Sequence, residues 1–207
     1  MAGLKKLFAD VGKLLYWGVG ISDPGTIPRK VDLWKIAAND GWMAQNLSAS
    51  NLNHKGKEAV RLQTGVGDGL AMLEGLQLPE CKLDLSLAAV TQQLGLIVRA
   101  ENEISYDLIS FQVNAATTAL SLGIQFGATD AKVELPNYLL GEWIGLRVVV
   151  APQFTAVFVN GSNMPSLKVP VSSQSSKGDL VGFWLGKNSD ALIADLKYIQ
   201  TKKRDLV

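Results

Sequence analysis

Apolar residues recur with a helical period only near the start of the chain. The i, i+3, i+4, i+7 spacing predicts an amphipathic helix over about residues 4–17, with lysines on its opposite side. Gly18, Gly20 and the turn Ser22-Asp-Pro-Gly25 can end that helix. We therefore expect a short helical unit, residues 1–24, followed by a second unit, residues 25–207. The apolar face comprises Leu4, Leu7, Phe8, Val11, Leu14 and Leu15.

Beyond about residue 27 the pattern changes to short alternating runs between turn-forming residues. Leu83, Leu85 and Leu87, for example, alternate with polar residues, which indicates a strand with one buried face. No long helical pattern separates these runs, so a βαβ arrangement is not expected. Many short strands at this spacing are typical of a two-sheet antiparallel jelly-roll sandwich. The candidate strands are Ala59–Gln63, Gly69–Leu73, Lys82–Ala88, Leu94–Arg99, Asp107–Val113, Leu120–Gly127, Ile144–Ala151, Thr155–Asn160, Val181–Leu185 and Ile193–Gln200.

The order of these strands resembles a bacterial family of the concanavalin A-like lectin/glucanase superfamily, of the laminin G-like or 3-keto-disaccharide hydrolase type. The resemblance covers roughly residues 32–199. It implies the concanavalin A-like sandwich fold and a protein that acts on or binds saccharides. The matching segments are Gly67–Gly75, Leu83–Leu87, Leu94–Arg99, Tyr106–Gln112, Gln125, Trp143–Val150, Val157–Asn160, Pro165–Leu167 and Val181–Gly186.

Several positions depart from the pattern of that family. The relatives usually have tyrosine and arginine where this chain has Ser110 and Gln112, and a histidine is common where it has Gly145. Of the two carboxylates that the resemblance implies on one strand, Asp84 remains, while Ser86 takes the second place. Positions that could hold a ligand are thus small or neutral here, which argues against carrying the family's activity over to this chain.

Composition and charge narrow the possible functions. Apolar residues make up 47% of the 207 residues, as in a globular protein, and 20 basic residues nearly balance 19 acidic ones. A net charge of +1 gives no general electrostatic reason to bind nucleic acid. Cys81 is the only cysteine and His54 the only histidine, so we expect no intrachain disulfide, zinc site or cofactor.

Catalytic motifs are not evident along the chain. A glycosidase needs two carboxyl groups that flank the scissile bond, and no alternating run of carboxylates lies on a candidate strand. Glu101 and Glu103 alternate, but they fall in a predicted turn. No catalytic residue is therefore predicted.

Sugar binding requires fewer groups: an aromatic ring for stacking, and polar groups that satisfy hydroxyls. Trp184 is predicted to face outward because it alternates with Phe183 and stands between glycines. Arg99, Gln112 and Gln125 are predicted to lie on non-core faces of neighbouring strands. The candidate saccharide-binding residues are Arg99, Gln112, Gln125, Trp184 and Asp84.

Three functions follow from these observations. The first is non-catalytic binding of a saccharide. The second is a glycoside hydrolase-like activity on di- or oligosaccharides, for which carboxylates such as Asp84 and Asp107 would have to converge. The third is a structural or assembly protein that uses the sandwich as a scaffold.

The amphipathic helix leaves three readings open. It can dock on its own sandwich, contact a partner chain or lie on a membrane surface, because so short a helix needs a surface to receive its apolar face. No cleavable signal peptide and no membrane-spanning stretch are expected. These patterns indicate no compartment, sugar or oligomeric state.

Overall fold

The structure is a computed structural model that describes residues 28–91, 93–126 and 129–200. The predicted helix over residues 4–17, and with it the unit 1–24, lies outside the described residues. The described elements are β1 (Arg29–Lys30), a 3-10 helix (Leu33–Ala38), β2 (Trp42–Gln45), β3 (Leu47–His54), β4 (Lys57–Thr64), β5 (Gly69–Leu73), β6 (Cys81–Thr91), β7 (Leu94–Ala100), β8 (Asp107–Asn114), β9 (Ala119–Phe126), β10 (Thr129–Leu135), β11 (Ile144–Val150), β12 (Phe154–Val159), β13 (Leu167–Pro170), β14 (Leu180–Leu185) and β15 (Asp190–Gln200).

The strands form two antiparallel sheets that face each other. Sheet I has the order β13-β12-β11-β6-β15-β4-β3, and β1 pairs with the far end of β15. Sheet II has the order β10-β9-β8-β7-β14-β5-β2. Non-consecutive strands lie side by side in both sheets, as in a jelly roll. The all-β, two-sheet antiparallel fold predicted from the sequence is confirmed.

The core lies between the sheets and is built from the inward-facing residues of alternating strands. Trp42 and Phe183 of sheet II stack there with ring centroids 5.9 Å apart. Burial of these side chains is the main force that holds the two sheets together. The inward positions that the alternation predicted are all buried, namely Leu85, Leu96, Phe111, Leu146, Val148 and Phe183.

Register shifts interrupt the alternation of the described strands at three places, and two of them are bulges beside a charged residue. One lies where β7 pairs with β14, next to Arg99, and the other lies in β15 between Ala194 and Lys197. Arg99 and Asp195 have positive φ values of 51° and 58°. A bulge adds a residue to one strand, so the side chains beyond it change their phase relative to the sheet. Both bulges determine where a charged side chain points.

At the first bulge the Arg99 side chain enters the sandwich. Its Nη1 donates to Asp107 Oδ2 at 3.1 Å and to Thr155 Oγ1 at 2.8 Å, and Nη2 donates to the Ala151 carbonyl at 2.7 Å. Thr155 and Ala151 belong to the sheet I side, so the guanidinium ties the two sheets together at this end. Asp107 also accepts a hydrogen bond from the Ser176 amide at 3.0 Å.

The surroundings of this pair are almost dry, since the side chains of Arg99 and Asp107 are only 7% and 0% exposed. Burial raises the pKa of Asp107 by more than the hydrogen bonds from Ser176 and Arg99 lower it. Burial likewise raises the pKa of the Cys81 thiol to about 12. Cys81 is therefore a protonated core residue and not a nucleophile.

The core assignment predicts the effect of truncating its largest ring. Phe111→Ala should lower the free energy of unfolding by about 3–5 kcal/mol, because it leaves a cavity between the sheets. The measurement is chemical denaturation followed by tryptophan fluorescence. Ile104→Ala is the control: Ile104 is 91% exposed, so its loss should change stability by no more than about 0.5 kcal/mol. Equal effects of the two variants would contradict the core assignment.

The buried ion pair predicts a non-additive pair of substitutions. Arg99→Met leaves Asp107 without its counter-charge and should cost about 3–5 kcal/mol of stability. Adding Asp107→Leu should recover much of that loss, because no buried charge then remains. Lys132→Met is the control: its pair with Asp130 is exposed and should be worth only about 0–1 kcal/mol. A double variant that is less stable than Arg99→Met would refute this account.

Candidate functional site

The structure places the five predicted binding residues in three separate regions. Asp84 lies on the outer face of sheet I, on the central strand β6. Gln112, Gln125 and Trp184 lie on the outer face of sheet II, on β8, β9 and β14. Arg99 lies between the sheets. The five residues therefore do not form one site.

The prediction that Arg99 shares an outer face with Gly95 and Ile97 is wrong. The bulge beside Arg99 turns its side chain inward, where Asp107 and Thr155 receive the guanidinium. The suggestion that Asp84 and Asp107 converge is also wrong. Asp107 is fully buried in the core, whereas Asp84 faces outward from the opposite sheet.

On the outer face of sheet II, Trp184 is half-buried among apolar side chains. A β-carbon placed on Gly95 would lie 3.4 Å from its Cε3 atom, and one on Gly186 would lie 3.2 Å from its Cη2 atom. These glycines therefore let the indole lie close against the sheet. The apolar group around it comprises Met43, Leu70, Met72, Ile97, Ala100, Tyr106, Leu108 and Leu180.

Gln112 and Gln125 share that face but lie at a distance from Trp184. Strand β7 separates β8 from β14, and Trp184 lies in register with Ser110, so Gln112 is two residues further along β8. The two strand spacings alone amount to roughly 9.5 Å. Gln125 is one strand further. A single sugar ring could not contact all three side chains, so their shared binding role stays a prediction.

A cleft of 230 Å³ lies on the outer face of sheet I. We call it the sheet I cleft. It lies over the middle of the sheet, where β12, β11, β6 and β15 run side by side. Its lining consists of Asp84, Leu85, Ser86, Gly145, Leu146, Arg147, Phe158, Gly161, Ser162, Asp195 and Lys197.

Gly145 gives the cleft its depth. A β-carbon built on Gly145 would meet only Asn160, at 3.7 Å and beyond, so the space above this residue is open. The Gly145 amide donates to Asn160 Oδ1 at 2.8 Å, and the Asn160 amide donates to the Gly145 carbonyl at 2.7 Å. These two bonds hold the turn of Gly161 and Ser162 as one wall of the cleft.

The charged side chains of the cleft are held in defined pairs. Arg147 Nε donates to Asp84 Oδ1 at 3.0 Å. Lys57 Nζ lies 2.7 Å from Asp195 Oδ2 and 2.8 Å from Ser86 Oγ, so it joins β4, β15 and β6. The hydrogen bond from Lys57 lowers the pKa of Asp195. Both carboxylates are thus paired with cations at the floor of the cleft.

The ring of Trp143 lies beside Lys57 and, with His54, supports it from outside the cleft. The Lys57 ammonium lies 5.5 Å from the Trp143 ring centroid, within the range of a cation–π contact. Trp143 Nε1 donates to the His54 carbonyl at 3.1 Å, and His54 Nε2 lies 3.0 Å from the Gly141 carbonyl. His54 is thus part of this support and does not line the cleft.

Sequence reasoning did not single out three charged residues that line the cleft, namely Arg147, Asp195 and Lys197, nor Lys57, which holds Asp195. The alternation of β11 does place Arg147 opposite the core residues of its strand, so this signal was available. Asp195 and Lys197 also alternate with the buried Leu196 and Tyr198, but the bulge in β15 shifts this run relative to the core residues Ala191 and Ile193.

Metal-binding clusters and membrane-crossing helices are absent from the described residues. No group of three or more His, Cys, Asp and Glu side chains in this part of the chain could hold a metal ion. Within the same residues, no helix is long and apolar enough to cross a membrane.

Comparisons with known proteins relate the chain to others through its fold. The sequence matches no family model and no curated protein. Among solved structures, the carbohydrate binding module CBM66 from Bacillus subtilis has a TM-score of 0.59 at 9% identity, over 77% of this chain and 95% of that one. The exoplasmic/lumenal domain of VIP36, in its Ca²⁺/Man-bound form, has a TM-score of 0.56 at 9% identity, over 86% and 92%.

A sialidase has a TM-score of 0.62 at 16% identity, over 85% of this chain but only 19% of that protein. The identities are low, so these likenesses concern the fold. They confirm the concanavalin A-like sandwich that the strand order indicated.

Proposed function

We propose that this protein binds a saccharide in the sheet I cleft and does not cleave it. The observation that carries the proposal is the combination of an open glycine floor with fixed, alternating charges. Gly145 leaves space for a ligand, while Asp84 and Arg147 stand side by side along one edge of that space. A hydrogen-bond acceptor, Asp84, and a donor, Arg147, are thus both present where a ligand would bind.

The chemistry of a sugar matches this arrangement. Each hydroxyl both donates and accepts, so a carboxylate beside a guanidinium can engage neighbouring hydroxyls of one ring. The Asp84–Arg147 bond holds both side chains before a ligand arrives, which reduces the entropy lost on binding. With 230 Å³, the cleft is smaller than the roughly 300–1,000 Å³ of a typical ligand pocket. We therefore infer that it takes one sugar unit at a time.

Proteins with a similar fold support the proposal. One of them is a carbohydrate binding module, and another was solved in a Ca²⁺/Man-bound form. The sandwich is thus suited to presenting saccharide sites, although the residues of each site must be argued separately.

A specific observation favours a second candidate function, glycoside hydrolysis. Asp84 and Asp195 both line the sheet I cleft, and a glycosidase needs two carboxyl groups beside the scissile bond. One of them must stay protonated to act as the acid, which requires a raised pKa. Lys57 instead lowers the pKa of Asp195, and Arg147 is bonded to Asp84. Binding without hydrolysis is therefore the better-supported function.

Filling the cleft tests the site. Gly145→Leu should abolish binding on a glycan array without loss of stability, because the added side chain enters open space at an ordinary φ. Gly67→Leu is the matched control, since Gly67 lies in an open turn remote from the cleft and tolerates the same addition.

The opposite face is tested on the same array with Trp184→Ala. If the ligand occupies the sheet I cleft, this variant keeps its binding. Loss of binding in Trp184→Ala together with full binding in Gly145→Leu would move the site to sheet II and overturn the proposal. An intact chain that binds no saccharide on a broad array would reject it altogether.

The non-catalytic assignment is tested by incubation with a saccharide that binds. We expect no reducing ends above the blank, for the intact chain as for Asp84→Asn and Asp195→Asn. Release of product that disappears in both variants would establish the hydrolase instead. A signal that persists in both variants would point to a contaminating enzyme.

A further inference from the structure

From the row of charges across sheet I, we infer that the saccharide of the proposed site is acidic and carries a carboxylate or sulfate group. This inference rests on the proposed function and names the ligand class of the same cleft. Its basis is an excess of cations that the carboxylates of the cleft leave uncompensated.

The row runs across four neighbouring strands. Arg147 of β11 pairs in register with Asp84 of β6, Asp84 with Lys197 of β15, and Lys197 with Lys30 of β1. Residues directly opposite on neighbouring strands point to the same face of a sheet, so all four side chains lie on the outer face. The sequence of charges along the row is positive, negative, positive, positive.

The described ion pairs leave part of this row without compensation. Asp84 is bonded to Arg147, and Asp195 to Lys57. Lys197 interacts electrostatically with Asp195, which Lys57 already holds. Among the described residues, however, no carboxylate lies within ion-pair distance of Lys197 or Lys30, and both side chains are exposed. Like charges directly opposite each other in an antiparallel pair are unfavourable. An anion held beside Lys197 would relieve that repulsion.

The side chain of Lys82 adds to the positive charge around the sheet I cleft. Lys82 precedes Asp84 on the same face of β6 and interacts electrostatically with Asp84 and Arg147. Burial lowers the pKa of Lys82, Asp84 opposes this, and Arg147 adds to the lowering. The cations around the cleft therefore lie close enough to affect one another.

The positions of the charged residues indicate where the sugar ring and its anionic group would lie. Lys197 lines the cleft, whereas Lys30 stands one strand beyond it. A sugar ring over Gly145 can thus contact Asp84 and Arg147 through hydroxyls, while its anionic substituent points towards Lys197 and Lys30. Arg147 lines the cleft and bonds Asp84 through Nε, which leaves the Nη donors of its guanidinium for the ligand.

The test compares three trisaccharides by isothermal titration calorimetry: trigalacturonate, its methyl ester, and a sulfated galactotriose. We expect trigalacturonate to bind at least about tenfold more tightly than the uncharged ester, with an advantage that shrinks as salt is added. Comparison of the sulfated trisaccharide with trigalacturonate shows whether the site prefers a sulfate or a carboxylate group. Preference for either anion over the ester supports the inference and identifies the group.

Substitution of Lys197 provides the matched comparison. Lys197→Met should bring trigalacturonate to within about twofold of the ester, and Lys197→Arg should restore the preference. Lys187→Met, which removes an exposed lysine far from the row, should change neither affinity. Equal binding of acid and ester by the intact chain would overturn the acidic class and leave the proposed function standing. If no acidic or neutral saccharide bound, on this panel or on a broad array, both would fail.

Discussion

The alternation of β6 is the constraint on which the rest of the molecule depends. This strand lies near the middle of sheet I, between β11 and β15. Its residues Leu83, Leu85 and Leu87 enter the core, so the residues between them must face outward. A slip of one residue would exchange the two faces, burying a carboxylate and exposing three leucines. The burial that stabilises the sandwich therefore also fixes Asp84 and Ser86 at the floor of the cleft.

The bulges at Arg99 and Asp195 place two charged side chains on opposite sides of their sheets. At Arg99 the extra residue turns a guanidinium into the core, where Asp107 compensates it and the pair joins the sheets. At Asp195 the extra residue keeps a carboxylate on the outer face, where Lys57 meets it. A regular strand would have placed each of these side chains differently. Non-glycine residues with positive φ mark both positions and lie where a charge is redirected.

Strand content could be read from the sequence wherever one face is strongly apolar. All candidate strands coincide with or overlap observed ones, and the fold class followed from them. Strand β3 was missed because it lies at a sheet edge and has few apolar residues to alternate. Strand β10 was missed although Ala131, Val133 and Leu135 alternate with charged residues.

The site was harder to predict, because its pairs join residues that are distant along the chain. Asp84 was identified from its strand, but its partner Arg147 and the Lys57–Asp195 pair follow only from the order of strands in sheet I. Arg99 was misplaced because a bulge depends on the partner strand, which periodicity within one strand does not reveal.

Gly145 shows how the site and stability are related in this fold. Glycine within a strand is less favourable than alanine by roughly 0.5–1 kcal/mol, and Gly145 lies on β11, between β6 and β12. Its φ is ordinary, and a β-carbon would meet no close neighbour, so neither conformation nor packing requires glycine there. What glycine provides is empty space beside Asp84 and Arg147. Under the proposed function, the stability that glycine forgoes at this position is the cost of keeping the floor of the sheet I cleft open for a saccharide.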